Sequence, residues 1–226
     1  MDLKIDRTKY ILNRTNYIQE EHKKNLLVLH YTAGSTASGA FETWNNKAIV
    51  NIHGEQVWSK VSTPYILDRD GTIYEVYDPK FYSYHLGINS DPKHLQHKRS
   101  VSIEIVNFGS LMKNKNKLYA WPNNYNQEFC DVSETEKYIQ VPDYRGYSYY
   151  AMYTPKQLEA LPSLAEMLCD RFEIPKVFNA QKLDQTDLKY FSTFNGMCSH
   201  TSFRNDKCDT GPALNWNIFE GKFSAI

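Results

Sequence analysis

The chain has 226 residues, enough for one large domain with a substantial buried core. Its 26 Lys and Arg residues balance 26 Asp and Glu residues, and a formal net charge of zero argues against a dedicated nucleic-acid binder. A hydrophobic share of 41% with 23% charged residues excludes wholesale disorder. Tyrosine is in excess, with 17 copies; its flat apolar face and hydroxyl suit polar ligands such as sugars or peptides.

The cysteines and the N-terminal segment carry no targeting or ribbon motif. The four cysteines form no Cys-x-x-Cys pair, which excludes a zinc ribbon and a thioredoxin-like motif. The first seven residues lack the apolar segment of a secretory signal, and no apolar run approaches the roughly 18 residues of a membrane span. We therefore expect a protein made in the cytoplasm with no membrane span, and separately we expect a monomer.

The first predicted strand, residues 25–30, is a short apolar run that ends at His30. Small residues follow at 33–35, so the strand delivers His30 to the edge of a sheet where a loop begins. Further along, the apolar stretches 65–68 and 72–76 flank an Asp-Gly pair. Such a pair between two apolar stretches predicts a β-hairpin.

The stretch 101–106 alternates with a period of two, which predicts a strand with Glu104 on the same face as Ser102 and Val106. An acidic side chain in this apolar pattern must reach a polar environment, because an unpaired buried carboxylate is costly. Glu104 is therefore either an outward-facing residue or ion-pair partner, or a general base directed into a metal-containing cleft.

A helix is predicted to begin at Thr154. Thr154 is a favourable N-cap, Pro155 suits the first helical position, and Gln157 completes a capping box. The apolar stripe that follows has helical spacing. It consists of Leu158, Leu161, Ala165, Leu168 and Phe172.

Between the Glu104 strand and this helix lies a segment of about 45 residues, 107–153, rich in Asn, Lys and Tyr. A structureless loop of that length is unusual in a compact domain, so the segment is predicted to be a functional insertion. Much of the tyrosine excess is concentrated there, in the run 144–150.

Two of the seven histidines occur in sequence contexts that suit metal ligation. His30 ends a buried strand, and His200 precedes a polar run that closes with Lys207-Cys208-Asp209. Two histidines with one acidic or thiol ligand form a common catalytic zinc site. The residues alone leave open whether Asp209 or Cys208 completes the set, and Cys208 could equally be a buried apolar residue.

Blocks of sequence in a fixed order then identify a family resemblance. They are Val28–Gly34, Ile66–Tyr74, Tyr84–Gly87, Ser102–Glu104, Tyr153–Leu158 and the signature from Phe194 to Ala213 with Trp216. With these blocks the chain resembles, over residues 25–219, the zinc-dependent N-acetylmuramoyl-L-alanine amidases, a family that includes phage lysozyme-like amidases, recycling amidases and peptidoglycan recognition proteins. The resemblance implies one domain over residues 1–226. It also implies an α/β fold with a central mixed β-sheet flanked by helices and with long loop insertions at 38–60 and 107–153.

The resemblance also implies a ligand set for Zn²⁺. His30 and His200 match the first two zinc ligands, and Asp209 matches the third. In relatives the third ligand is an Asp or Cys directly before Pro-Gly, and here Thr210 replaces that proline. Relatives carry a lysine two residues before the ligand, a spacing that Lys207 satisfies only if Asp209 is the ligand. Cys208 is the alternative third ligand, since zinc also accepts thiolates.

Further roles follow from the same resemblance. Glu104 matches the catalytic glutamate, and Lys207 is expected to stabilise the developing oxyanion. His85 matches a histidine of the cleft that contacts substrate, and Tyr31 and Thr32 are expected to be further substrate contacts.

The activity implied is zinc-dependent hydrolysis of the amide bond between N-acetylmuramic acid and L-alanine, with peptidoglycan or a muropeptide as partner, in a lytic or wall-remodelling enzyme. Two alternatives remain open: a non-catalytic peptidoglycan-binding protein on the same fold, and a cytoplasmic muropeptide-recycling amidase. A lytic enzyme without a secretory signal is expected to reach the wall as a phage endolysin does. The tyrosines of the insertion, with Trp44 and Trp121, either line the substrate groove or pack as ordinary aromatics.

Overall fold

The computed structural model describes residues 3–46, 48–50, 53–88, 90–91, 93–120 and 127–226. Its centre is a six-stranded mixed sheet. The strands are β1 (Ile5–Asp6), β2 (Leu26–Tyr31), β5 (Tyr65–Leu67), β6 (Ile73–Glu75), β7 (Ser100–Ile105) and β14 (Gly196–Ser199), in the spatial order β1-β6-β5-β7-β2-β14. The predicted strands at 25–30 and 101–106 are thus confirmed, each with bounds shifted by one residue.

Neighbouring strands β5, β7, β2 and β14 run parallel, whereas β5 and β6 form an antiparallel hairpin. Leu67 pairs with Ile73 across the Asp-Gly turn, so the predicted hairpin is confirmed. Gly71 adopts a φ of 83° at this turn, a conformation that residues with a Cβ rarely adopt.

One face of the central sheet is covered by the long helix α3 (Pro155–Phe172), which continues through Pro162. The predicted capping box is present: the Thr154 hydroxyl accepts from the Gln157 backbone N–H, and the Gln157 side chain accepts from the Thr154 backbone N–H. Buried apolar residues of α3 and of the sheet form one cluster. It includes Leu27, Leu29, Ile103, Ile105, Leu161, Leu164 and Leu168.

The opposite face of the sheet carries smaller apolar clusters and the shorter elements. The helices there and elsewhere are α1 (Ala37–Asn46), α2 (Leu95–Arg99) and α4 (Leu188–Phe191), with 3₁₀ turns at Arg14–Asn16, Thr135–Lys137, Ala180–Lys182, His200–Ser202 and Trp216–Phe219. Two small strand pairs join β3 (Ala48–Val50) with β4 (Gln56–Trp58) and β13 (Val177–Phe178) with β15 (Ser224–Ala225). The segment 38–60, predicted to be a long loop, therefore contains most of α1 and the β3–β4 hairpin.

The insertion at 107–153 forms a second sheet of five antiparallel strands, where the sequence predicted only a long loop. Its strands are β8 (Ser110–Asn114), β9 (Lys117–Ala120), β10 (Gln127–Asp131), β11 (Tyr138–Tyr144) and β12 (Tyr147–Ala151), in the order β10-β9-β8-β12-β11. It has its own apolar cluster, which includes Leu111, Leu118, Cys130 and Tyr138. We call this second sheet the insertion sheet.

The two ends of the insertion are fastened to each other at Asn107, which is fully buried. Its side-chain amide donates to the Ala151 carbonyl (3.2 Å) and its side-chain oxygen accepts from the Gly109 backbone N–H (2.6 Å). The Ala151 backbone N–H in turn donates to the Gly109 carbonyl (2.9 Å). The chain therefore leaves the central sheet and returns to it at one place.

Among the described residues, no helix combines the length and the apolar character that a membrane crossing requires.

Candidate active site

Three adjacent parallel strands deliver chemically active side chains to one edge of the central sheet. His30 of β2 lies in register with Glu104 of β7. Ser199, the last residue of β14, lies in register with Leu29, so His200 follows beside His30. Because residues in register share a face of a sheet, these side chains project together on the face opposite α3.

Asp209 joins the two histidines to form a compact group of ligand atoms. His30 Nδ1 lies 3.1 Å from His200 Nδ1 and 3.3 Å from Asp209 Oδ2, and His200 Nδ1 lies 3.1 Å from the same carboxylate oxygen. All three residues are buried. Bonds of 2.0–2.1 Å in tetrahedral geometry place zinc ligand atoms about 3.3 Å apart. The geometry and the donor types therefore fit Zn²⁺.

The outer nitrogen of each histidine has a partner that orients its ring. His200 Nε2 lies 2.9 Å from the Leu86 carbonyl, to which it donates, and His30 Nε2 lies 2.9 Å from His85 Nδ1. Both Nδ1 atoms are thus left facing Asp209. Burial, followed by repulsion from His200, lowers the pKa of His30 to about 4, so its imidazole is neutral at pH 7, the form that ligates metals.

The carboxylate of Asp209 is ionised in this setting. Burial opposes its ionisation, yet the neighbouring His200 and His30 hold the pKa of the Asp209 carboxyl below its usual range. Cys208 is not part of the convergent group among the described residues. Its half-buried thiol interacts with Tyr150, and burial raises its pKa.

Glu104 stands beside this group, in a cleft of about 510 Å³ that His30, Lys207 and Asp209 also line. Burial, and then the negative charge of Asp209, raise the pKa of Glu104 well above its ordinary value, while Lys207 acts in the opposite direction. A carboxyl group with a raised pKa, next to a metal-type ligand set, is suited to accept and return a proton near neutral pH.

The predicted substrate contacts have different surroundings. His85 borders the cleft, but its ring is buried and its second nitrogen, Nε2, lies 2.7 Å from Ser100 Oγ. The Thr32 hydroxyl accepts from the Asn107 backbone N–H (3.2 Å), although Thr32 also lines the cleft. Tyr31 lines the cleft and packs so closely over Gly109 that a Cβ there would lie 2.2 Å from the Tyr31 ring. Their contact with substrate stays a prediction.

The insertion sheet supplies part of the cleft wall through Ser110, Arg145 and Tyr147. Of the other tyrosines in the run, Tyr150 is buried and its ring packs against that of Tyr144, with centroids 5.7 Å apart. Trp44 lines the cleft from α1, and Trp121 lies outside the described residues. Most tyrosines of the run therefore pack within the protein, and Tyr147 is the one of them that lines the cleft among the described residues.

Arg145 also holds the loop that precedes Asp209 through hydrogen bonds. The sequence alone does not reveal this contact. Its guanidinium donates to the carbonyls of Asn205 (2.9 Å) and Asp184 (3.0 Å). Buried Tyr153 acts on the other side of Asp209, where its hydroxyl donates to the Thr210 carbonyl (2.7 Å). Arg145 lies at the tip of the β11–β12 hairpin, and no local sequence pattern shows which distant loop the arginine reaches.

Three buried residues with metal-ligating side chains, next to a carboxylate in an accessible cleft, form an arrangement suited to a metal-assisted hydrolase. Residues 20–212 match the family model described as N-acetylmuramoyl-L-alanine amidase. The chain therefore belongs to the N-acetylmuramoyl-L-alanine amidase family. The predicted family and enzyme class are confirmed.

Two solved structures with TM-scores of 0.50 or more show the same fold. A selenomethionine derivative of AmpD superposes with a TM-score of 0.51 at 15% identity, covering 98% of this chain and 94% of that one. AmiD from E. coli gives 0.50 at 18% identity, with 95% and 63% covered. LysC from Clostridium intestinale URNW gives 0.49 at 14% identity, with 95% and 96% covered. A search of curated protein sequences returns no significant match. The predicted fold class, α/β with a central mixed sheet, is confirmed.

Proposed function

We propose that this protein hydrolyses the amide bond between N-acetylmuramic acid and L-alanine of peptidoglycan in a Zn²⁺-dependent reaction, as a lytic or wall-remodelling enzyme. The observation that carries the proposal is the triangle of His30, His200 and Asp209 ligand atoms, 3.1–3.3 Å apart, beside Glu104. A non-catalytic binder on this fold has no need of a complete ligand set and an adjacent base.

In the proposed mechanism, His30, His200 and Asp209 hold the metal, which when bound supplies a Lewis acid for the amide carbonyl and for the attacking water. Glu104 accepts a proton from that water and returns it to the leaving nitrogen of L-alanine. The Lys207 ammonium stabilises the negative charge that develops on the carbonyl oxygen, a contribution of about 3 kcal/mol for one well-placed donor.

The lining of the cleft supports a glycopeptide substrate. The cleft receives side chains from α1, from the Asp209 loop and from the insertion sheet, and Val61 and Tyr147 offer it apolar surface. AmiD was solved with its substrate anhydro-N-acetylmuramic acid-L-Ala-D-gamma-Glu-L-Lys, and we assign the same chemical class to this chain. Arg145 and Lys207 are cationic groups of the cleft suited to carboxylates of a stem peptide.

The test is mass spectrometry of the products released from purified peptidoglycan by the zinc-loaded protein. We expect stem peptides with a free L-alanine amino group and glycan strands of unchanged length. Chelation should abolish their release, and added Zn²⁺ should restore it. The absence of new L-alanine termini would contradict the proposed reaction. Cleavage of soluble muropeptides alone would instead identify a recycling amidase.

A further inference from the structure

A chain of four hydrogen-bonded groups runs from the proposed metal site into the protein interior. His30 Nε2 lies 2.9 Å from His85 Nδ1, and His85 Nε2 lies 2.7 Å from Ser100 Oγ. The Ser100 hydroxyl donates to the Gln96 carbonyl at 2.7 Å. The three side chains His30, His85 and Ser100 are all buried, with at most 8% of their surface exposed.

The last group fixes the direction of every hydrogen bond in this chain. A backbone carbonyl only accepts, so Ser100 gives its single proton to Gln96 and its oxygen accepts from His85 Nε2–H. His85 Nδ1 is then the unprotonated nitrogen and accepts from His30 Nε2–H. The remaining nitrogen of His30, Nδ1, is left with its lone pair directed at His200 and Asp209.

We propose that His85 is a positioning residue for the metal ligand His30, held in its accepting tautomer by Ser100 and the Gln96 carbonyl. The inference depends on the proposed Zn²⁺ site but not on the reaction catalysed there. A hydrogen-bond acceptor behind a ligating imidazole fixes its orientation and increases its basicity, and loss of such a partner costs about 10-fold to 100-fold in metal affinity. Both ring nitrogens of His85 then form hydrogen bonds, one with His30 and the other with Ser100.

The experiment measures the dissociation constant of Zn²⁺ by competition with a chelator, without substrate. His85→Leu removes the acceptor and should raise the dissociation constant by about 10-fold to 100-fold. His85→Asn keeps an oxygen near the position of Nδ1, so it should recover most of the lost affinity. A purely structural role of the ring predicts no recovery, because asparagine fills the site less well than leucine does.

Ser100 and Ser102 provide a matched pair on the same strand. Both are buried and two residues apart, hence on one face, but Ser102 Oγ has no hydrogen-bond partner among the residues that the structure describes. Ser100→Ala should weaken Zn²⁺ binding by several-fold, in the direction of His85→Leu, whereas Ser102→Ala should leave it unchanged. This milder pair keeps the test valid if His85→Leu does not fold.

A spectroscopic readout accompanies the affinity measurement. In the zinc-loaded protein we expect a downfield ring N–H proton resonance from His30 that persists in Ser102→Ala and disappears in His85→Leu. Folded His85→Leu and Ser100→Ala variants with wild-type Zn²⁺ affinity would overturn the proposal while leaving the amidase function intact. Wild-type protein that binds Zn²⁺ through this relay yet releases no stem peptide would overturn the proposed function alone.

Discussion

The central sheet and the insertion sheet contribute to the same cleft in different ways. The central sheet places His30 and Glu104 in register near the ends of two parallel strands, and His200 directly follows a third, β14; the side chains of all three are at least half buried. The insertion sheet places Arg145 and Tyr147 at a hairpin tip, where both side chains are partly buried, as that of Glu104 is. The first region supplies the proposed metal ligands and general base, and the second supplies part of the cleft wall and hydrogen bonds to the loop before Asp209.

The two regions differ in how much structural variation they tolerate. Ligand atoms that must converge within 3.3 Å require rigid, buried strands, because a small displacement of a reacting group is costly. A hairpin tip that forms part of a cleft wall tolerates more variation, as surface loops generally do. We therefore expect substitutions in the central region to abolish the reaction and substitutions in the insertion to modulate it.

The largest expected effect is the loss of metal from the central region. Asp209→Ala should reduce bound Zn²⁺ to a small fraction of one equivalent and lower kcat/KM by at least about 10³-fold, since one of three ligands is removed. Metal content by atomic emission and peptide release from peptidoglycan measure the two quantities. Cys208→Ala is the matched control and should retain both. The reverse outcome would make Cys208 the third ligand.

Glu104→Gln should distinguish the effect of losing the general base from the effect of losing the metal. The substitution keeps the shape of the side chain but removes its ability to take a proton, so kcat should fall by about 10²-fold to 10⁴-fold while Zn²⁺ stays bound. Kinetics on a defined muropeptide, with metal content measured in parallel, test this. Glu128→Gln, on the exposed surface of the insertion sheet, should match the wild type. Undiminished turnover in Glu104→Gln would exclude Glu104 as the base.

Acid should lower the free energy of unfolding through the buried histidines. Burial lowers the pKa of His97 to about 4, and that of His30 to about 4 as well. Because the unfolded chain takes up these protons below about pH 6.5 and the folded protein only below about pH 4, this stability is complete above pH 6.5 and is lost as the pH falls towards 4. The loss is on the order of 3 kcal/mol for each histidine.

Urea unfolding of the metal-free protein between pH 7 and pH 4 measures this dependence. In His97→Asn the slope of unfolding free energy against pH should decrease by about one proton. Glu134→Gln, which breaks the exposed Lys137–Glu134 pair of the insertion sheet, should leave the slope nearly unchanged. A flat profile in the wild type would show that the buried histidines are protonated in the folded state.

The smallest effect is expected from loss of the Arg145 hydrogen bonds at the tip of the β11–β12 hairpin. Arg145→Met removes the hydrogen bonds to the Asn205 and Asp184 carbonyls and should lower the unfolding free energy by about 1–3 kcal/mol. Because those bonds hold the loop before Asp209, kcat/KM should also fall, by about 10-fold. Lys137→Met is the control on an exposed cation. Lower stability with unchanged kcat/KM would mean that the insertion is a scaffold only.

The strands and the helix of the central region were predictable because local patterns determine them. An apolar run ending at His30, an Asp-Gly turn and a capping box at Thr154 each have a physical cause confined to a few residues. The insertion strands lacked such signals. Their faces mix Lys, Asn and Tyr, and their two-residue turns, Lys115-Asn116 and Arg145-Gly146, are not the Asn-Gly or Asp-Gly pairs typical of hairpins.

The residues of the candidate site were also predictable only in part. Family resemblance singled out His30, His200 and Asp209, which the fold brings together. Ser100 and Arg145 were missed because each acts across the fold, Ser100 on His85 and Arg145 on a loop 60 positions away. Hydrogen bonds between distant segments depend on packing and leave no spacing pattern in the sequence.

The junction at Asn107 has a consequence for how this protein can change over evolution. Hydrogen bonds join Asn107, Gly109 and Ala151. The two ends of the insertion therefore lie next to each other in space. A duplication, a deletion or the exchange of the insertion for another sequence need not shift β7, which carries Glu104, or α3, which begins at Pro155. A different cleft wall can thus be acquired by exchange of the insertion, while the residues of the proposed metal site are inherited unaltered.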